Sequence, residues 1–124
     1  MLRGEERRKH IRIFLPGGQV RLVSGILLVL VGKVVDISLG GVKFVCSPEF
    51  NIGDSIGLEV TLPNGMKLKC SASICHMETR ENNQNEALYG VQFDDLGTNE
   101  QAELGEFIMR LRAEQDGFLN KKFN

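Results

Sequence analysis

The chain has 124 residues, 42% of them hydrophobic and 25% charged, with a formal net charge of −1. That length suits one domain around a single core, and that composition excludes a disordered low-complexity tract and a polybasic chain held to anions by charge alone. The longest apolar run, Ile26 to Val31, falls far short of the roughly 20 residues a membrane-spanning helix needs, and charged residues fill positions 3 to 12, where a secretory signal would be apolar. No membrane insertion and a cytoplasmic location are therefore expected.

Residues 1–12 carry almost no apolar side chains and read as a flexible basic arm; Pro16-Gly17-Gly18 then breaks the chain before regular structure is expected to begin. From Gln19 to Asp95, short runs of Val, Ile, Leu and Phe punctuated by Gly, Pro, Asn and Asp predict strands near 19–24, 26–37, 41–46, 54–62, 66–78 and 88–94. Six strands suffice for a small barrel, so the predicted class is an all-β core. Pro63-Asn64-Gly65 is the clearest hairpin signal, because Asn-Gly suits the positive φ values of a type I′ turn. Glu81 to Glu86 holds three asparagines and reads as a flexible hairpin loop.

After Gly97 the period changes. Thr98 with Gln101 resembles a capping box, and Leu104, Phe107, Ile108 and Leu111 recur at spacings of three and four. An amphipathic helix over about 98–115 is expected to pack on the barrel and complete a domain over 13–112; the same stripe would also suit a dimer seam. Residues 116–124 read as a disordered tail. The three cysteines, Cys46, Cys70 and Cys75, show no metal-type pair spacing and read as buried or half-buried strand residues in a reducing compartment.

Two short motifs carry the chemistry. Arg7-Arg8-Lys9-His10-Ile11-Arg12 puts four fixed positive charges and a histidine into six residues, with Arg8 and Arg12 spaced as Arg-x-x-x-Arg. Alone, such an arm also suits a solvated tail. Asp36-Ile37-Ser38-Leu39-Gly40-Gly41 runs a strand into a glycine turn. Alone, it also suits strand-end chemistry in which Asp and Ser bond nearby backbone and Gly takes positive φ. Together they say more: period two in a strand puts Asp36 and Ser38 on one face, and Gly40 and Gly41 let a ligand approach the backbone. The fork of an arginine matches N7 and O6 of guanine, a carboxylate can accept from its N2 amino group, and arginines neutralise phosphates. A small anionic purine ligand would use every one of these features.

With Arg8, Arg12, Asp36, Ser38 and Gly41 in this order, the chain resembles the PilZ domain, a bacterial receptor for cyclic dimeric guanosine monophosphate (cyclic di-GMP). Gly32 to Phe44 is similar to that family's central strand pair, and Tyr89-Gly90-Val91-Gln92-Phe93 to its closing strand. The resemblance implies a six-stranded antiparallel PilZ-type β-barrel with a basic N-terminal arm and a C-terminal α-helix. It implies that Arg8 and Arg12, with Arg7 in support, hold guanine edges and phosphates of a ligand that often binds as an intercalated dimer, while Asp36, Ser38 and the Gly41 backbone, with Gly40, meet it from the barrel. His76 stands where some members place a residue that stacks on a base; a solvated strand histidine is the alternative.

The expected function is a second-messenger receptor in which ligand orders the arm and changes the surface shown to an unidentified effector protein. No cofactor is expected. An enzyme finds little support: no nucleophile with a nearby base, phosphate-binding glycine loop or metal constellation is visible. A nucleic-acid-binding barrel would favour a basic chain with aromatic platforms, whereas the isoelectric point is about 6.1 and there is no Trp and one Tyr. The remaining alternative is a PilZ-fold adaptor acting through protein contacts without nucleotide. Motility and biofilm regulation are roles the resemblance implies; nothing in the residues selects between them.

Overall fold

The computed structural model describes residues 12–15, 17–24, 27–80 and 83–123. Among the described residues seven strands and one helix follow in order: β1 (Ile13–Phe14), β2 (Gln19–Ser24), β3 (Leu27–Ile37), β4 (Gly41–Cys46), β5 (Ser55–Thr61), β6 (Lys67–Arg80), β7 (Asn83–Phe93) and α1 (Thr98–Phe123). All pairings are antiparallel. The sheet runs β1-β3-β2-β5-β6-β7-β4, and β4 returns to pair with β3, so six strands close into a barrel and β1 is added at its rim. The predicted six strands are present.

Alternation builds the core. In β4, Val42, Phe44 and Cys46 are buried while Gly41, Lys43 and Val45 face outward; β5 repeats this with Ile56, Leu58 and Val60. Tyr89 is fully buried among them, its ring 5.9 Å from Phe44 and 5.8 Å from Phe50. Its hydroxyl accepts from Phe50 N (3.0 Å) and donates to Phe50 O (3.1 Å), so the polar tip enters the interior without losing its hydrogen bonds.

Five expectations are corrected. Regular structure begins before Pro16: Ile13 and Leu15 are buried and Phe14 exposed, and this alternation lets β1 pair with β3 (Ile13↔Ile37, Phe14↔Asp36). The Pro63-Asn64-Gly65 hairpin forms, but among the described residues no residue other than glycine has positive φ, which excludes type I′. Instead Gly65 N donates to Leu62 O, Gly65 takes φ 89° and Leu62 N donates to Met66 O, the pattern of a type I turn closed by a glycine bulge. Pro63, with its fixed φ, suits the first central position of that turn. The strand pairing of β6 with β7 continues to Arg80↔Asn83, so much of the predicted 81–86 loop is strand. Ladder bonds at an exposed hairpin end do not require apolar side chains.

The helix, finally, runs to Phe123, through the segment predicted as a disordered tail. Ala113, Glu114, Gln115, Lys121 and Lys122 are strong helix formers, and Arg112 pairs with Asp116 at 3.9 Å one turn on. The helix also starts one residue earlier than a Thr98 cap would require, since Gln101 N donates to Gly97 O. Gln101 thus falls past the capping-box position, and its side-chain amide donates to Leu96 O (2.8 Å) instead. Leu104 and Ile108 are buried, with Phe107 and Leu111 packed against the core, as the spacing predicted. No helix among the described residues is long and apolar enough to cross a membrane.

Candidate functional site

A cleft of ≈ 670 Å³ opens where Arg12, just before β1, and strands β3, β4, β6 and β7 meet the start of α1. Arg12, Asp36, Ser38, Gly40, Gly41 and His76 all line it, so it gathers every predicted site residue that is described. Arg7 and Arg8, with the arm that carries them, lie outside the described residues. A separate groove of ≈ 540 Å³ beside Phe14 holds none of the predicted residues.

The ladder explains how Arg12 arrives. Phe14 stands opposite Asp36, and Leu15 N donates to Val35 O (2.8 Å), which fixes the arm's root on β3. Arg12 lies two residues before Phe14, on the same outward face, diagonal to Asp36. Its Nη1 is 3.8 Å from Asp36 Oδ1. The two side chains are 34% and 22% exposed, so this pair is solvent-screened and worth about 0 to 1 kcal/mol.

Ser38 is held more firmly. It is the one buried polar residue among those described, and its Oγ accepts from Gly40 N and Gly41 N, each at 3.2 Å, while 3.4 Å from Gly41 O. Ser38 N in turn donates to Gly41 O (2.9 Å). Both glycine amides are therefore engaged inside the turn. Neither Gly40 nor Gly41 has positive φ; glycine is required at position 41 because a Cβ would run into the Val91 carbonyl oxygen of the neighbouring strand.

Two one-residue bulges shape the walls. Between Val34 and Asp36 the β3–β4 register slips, leaving Val35 as the extra residue beside Asp36. Between Ile74 and His76 the β6–β7 register slips at Cys75. Such bulges re-aim side chains. Here Cys75 and His76 are both exposed, which corrects the expectation that Cys75 is buried or half-buried; Cys46 is buried and Cys70 partly so. Burial, reinforced by Glu49, pushes the Cys46 thiol up to about 11. Burial, then Asp95 and Asp94, push Cys70 up to about 11. His76 Nε2 lies 3.3 Å from Glu78 Oε1.

Lys43, Gln92 and Gln101 also line the cleft and were not predicted from the sequence as site residues. Lys43 was available to pattern reasoning: it alternates with the apolar Val42 and Phe44, and so must face outward beside Asp36. Among the described residues the fixed charges of the wall are Arg12 and Lys43 against Asp36 alone, an arrangement suited to an anion with hydrogen-bonding edges. Among the described residues no group of His, Cys, Asp and Glu could hold a metal ion.

Comparison with known proteins places this geometry. A family model described as PilZ domain matches residues 6–110. Comparison with curated proteins returned no match. Among solved structures, YcgR from Escherichia coli in complex with c-di-GMP matches with a TM-score of 0.76 at 19% identity, covering 94% of this chain and 50% of that one. The Bacillus subtilis inhibitor of motility MotI/DgrA matches with a TM-score of 0.74 at 17% identity, covering 92% and 57%. The PilZ domain of Escherichia coli YcgR with c-di-GMP, taken alone, matches with a TM-score of 0.71 at 19% identity, covering 93% and 98%. The chain thus spans about half the length of the two larger proteins, and at these identities the likeness concerns the fold.

Proposed function

The chain belongs to the PilZ domain family, and from that premise we propose that it is a receptor for cyclic di-GMP with no catalytic turnover of the nucleotide and no cofactor. The observation that carries this reading is the convergence of Arg12, Asp36 and the Ser38 turn on one cleft. Their chemistry fits the ligand. The Arg12 guanidinium offers paired donors to guanine N7 and O6 or to phosphate, and the outer lone pairs of Asp36 can accept from the N2 amino group. The solved YcgR structures with c-di-GMP support the same ligand for a barrel of this shape.

In this reading Arg8, supported by Arg7, closes over the cleft from the arm, and Gly40, Gly41 and His76 complete the contact surface. The ligand enters as a monomer or an intercalated pair. Ordering an arm costs about 1 to 2 kcal/mol per residue, which several charge-assisted contacts, each roughly twice as strong as a neutral hydrogen bond, offset. The ordered arm then alters the surface offered to an effector protein in the cytoplasm; the similarity to an inhibitor of motility makes motility control a candidate output.

Isothermal titration calorimetry of the purified chain with cyclic di-GMP tests the proposal. Saturable heat is expected. No heat at high micromolar protein overturns it and favours an adaptor that works without nucleotide.

A further inference from the structure

The register places a second row of side chains beside the motif residues. Asp36 on β3 stands opposite Lys43 on β4, Lys43 opposite Gly90 on β7, and Gly90 opposite His76 on β6. Directly opposed residues share a face, so the row crosses the outer wall of the barrel through the cleft. Gly90 leaves a gap in the row, and its neighbours fill it. A Cβ at Gly90 would lie 3.2 Å from His76 Cβ, 3.8 Å from Lys43 Cγ and 3.9 Å from Lys43 Cε. Contact at both Cγ and Cε means that the lysine stem lies along β7 instead of standing off into water. The stem thus leans over Gly90, the residue that separates Lys43 from His76 in the row.

Asp36 meanwhile is paired with Arg12. The ion pairs found among the described residues leave Lys43 out. A half-buried lysine, its stem held against a strand and its charge without a carboxylate among those residues, favours an anion at the cleft floor. The two cations of the wall also differ in what they read. A planar guanidinium matches a base edge, whereas an ammonium is a compact charge that suits a phosphate oxygen from many directions.

We propose that Lys43 is a phosphate-contacting residue of the ligand site, positioned by the side-chain gap at Gly90. It serves the β4–β7–β6 side of the cleft, while Arg12 and Asp36 serve the β1–β3 side. This inference rests on the cyclic di-GMP reading of the same cleft.

The test is calorimetry with cyclic di-GMP on the unaltered chain, Lys43→Gln and Lys43→Arg, at ionic strengths of about 0.02 M and about 0.3 M, with thermal midpoints read alongside. Lys43→Gln keeps most of the stem and removes the charge. It is expected to bind about tenfold or more weakly at the lower salt, the worth of a charged hydrogen bond, with the gap narrowing at the higher salt and the thermal midpoint unchanged. Lys43→Arg is expected to keep most of the affinity. Equal affinity of Lys43→Gln and the unaltered chain at both salts overturns the proposal and leaves the receptor reading standing. Loss that ignores salt, or that Lys43→Arg shares in full, also overturns it, because it marks a packing role. No binding by the unaltered chain overturns both readings.

Discussion

Asp36 faces Lys43 directly across the β3–β4 ladder, yet among the described residues the cation within 4 Å of its carboxylate is Arg12, at 3.8 Å. The pair ties the root of the N-terminal arm to the barrel wall without consuming the carboxylate, whose two oxygens offer more lone pairs than one long contact uses. A weak, exposed latch of this kind is easily exchanged for a ligand.

Asp36→Ala is accordingly expected to lower cyclic di-GMP affinity at least about tenfold, a charged hydrogen bond being worth about 1.5 to 3 kcal/mol, while changing stability by less than about 1 kcal/mol. Arg12→Ala should behave the same way. Calorimetry paired with urea unfolding separates the two effects; matched losses in both would mean that Asp36 fastens the fold and does not meet ligand.

Ser38→Ala should reverse that balance. It strips the acceptor from the half-buried Gly40 and Gly41 amides, and leaving such donors unsatisfied costs up to about 1 to 3 kcal/mol. A lowered urea midpoint with an unchanged m-value is the expected signature. Unaltered stability would show that water or another acceptor replaces the hydroxyl.

The cysteines give a pH prediction. In the folded chain Cys46 and Cys70 are pushed from the ordinary value of 9.0 to about 11, so the native state holds its thiol protons to higher pH than the unfolded chain does. Their contribution to stability is complete below about pH 9 and is lost as pH rises through about 11. The thermal midpoint should fall across that window, and less steeply in Cys46→Ala compared with its own neutral-pH value. Under native conditions near neutral pH, iodoacetamide should label the exposed Cys75 first; all three cysteines should label in denaturant.

Tyr89→Phe removes the hydroxyl that serves both Phe50 N and Phe50 O. A loss of about 1 to 3 kcal/mol is expected, read as a lower denaturation midpoint with the nucleotide affinity of the remaining folded protein retained.

Hydrophobic alternation and turn residues made the barrel readable in the sequence, because strands buried on one face must repeat every second residue. The spacing of Asp36, Ser38 and Gly41 likewise announced a strand ending in a turn. What stayed hidden arises where the period breaks. The bulge residues Val35 and Cys75 look like ordinary members of their strands, and only the partner's register shows that each is extra. Without the extra residue at Cys75, His76 would follow Ala72 and Ile74 to the inside; the bulge turns it outward. The role of Gly41 was hidden for a different reason: close approach to Val91 is a contact between residues 50 positions apart, which no local pattern carries. Gln101 reached the cleft wall through helix packing, which its capping-box spacing did not foretell.

Closure of the barrel has a consequence for signalling. Each of its six strands is hydrogen-bonded to a neighbour on either side, so the wall presents no continuous free strand edge to an incoming chain. Among the described residues only the outer edge of two-residue β1, at the rim, is open to another strand; otherwise a partner must grip side chains, the arm or the exposed face of α1. Any message the cleft sends therefore travels as a rearranged surface, and its vocabulary is limited to what lies outside the ladder.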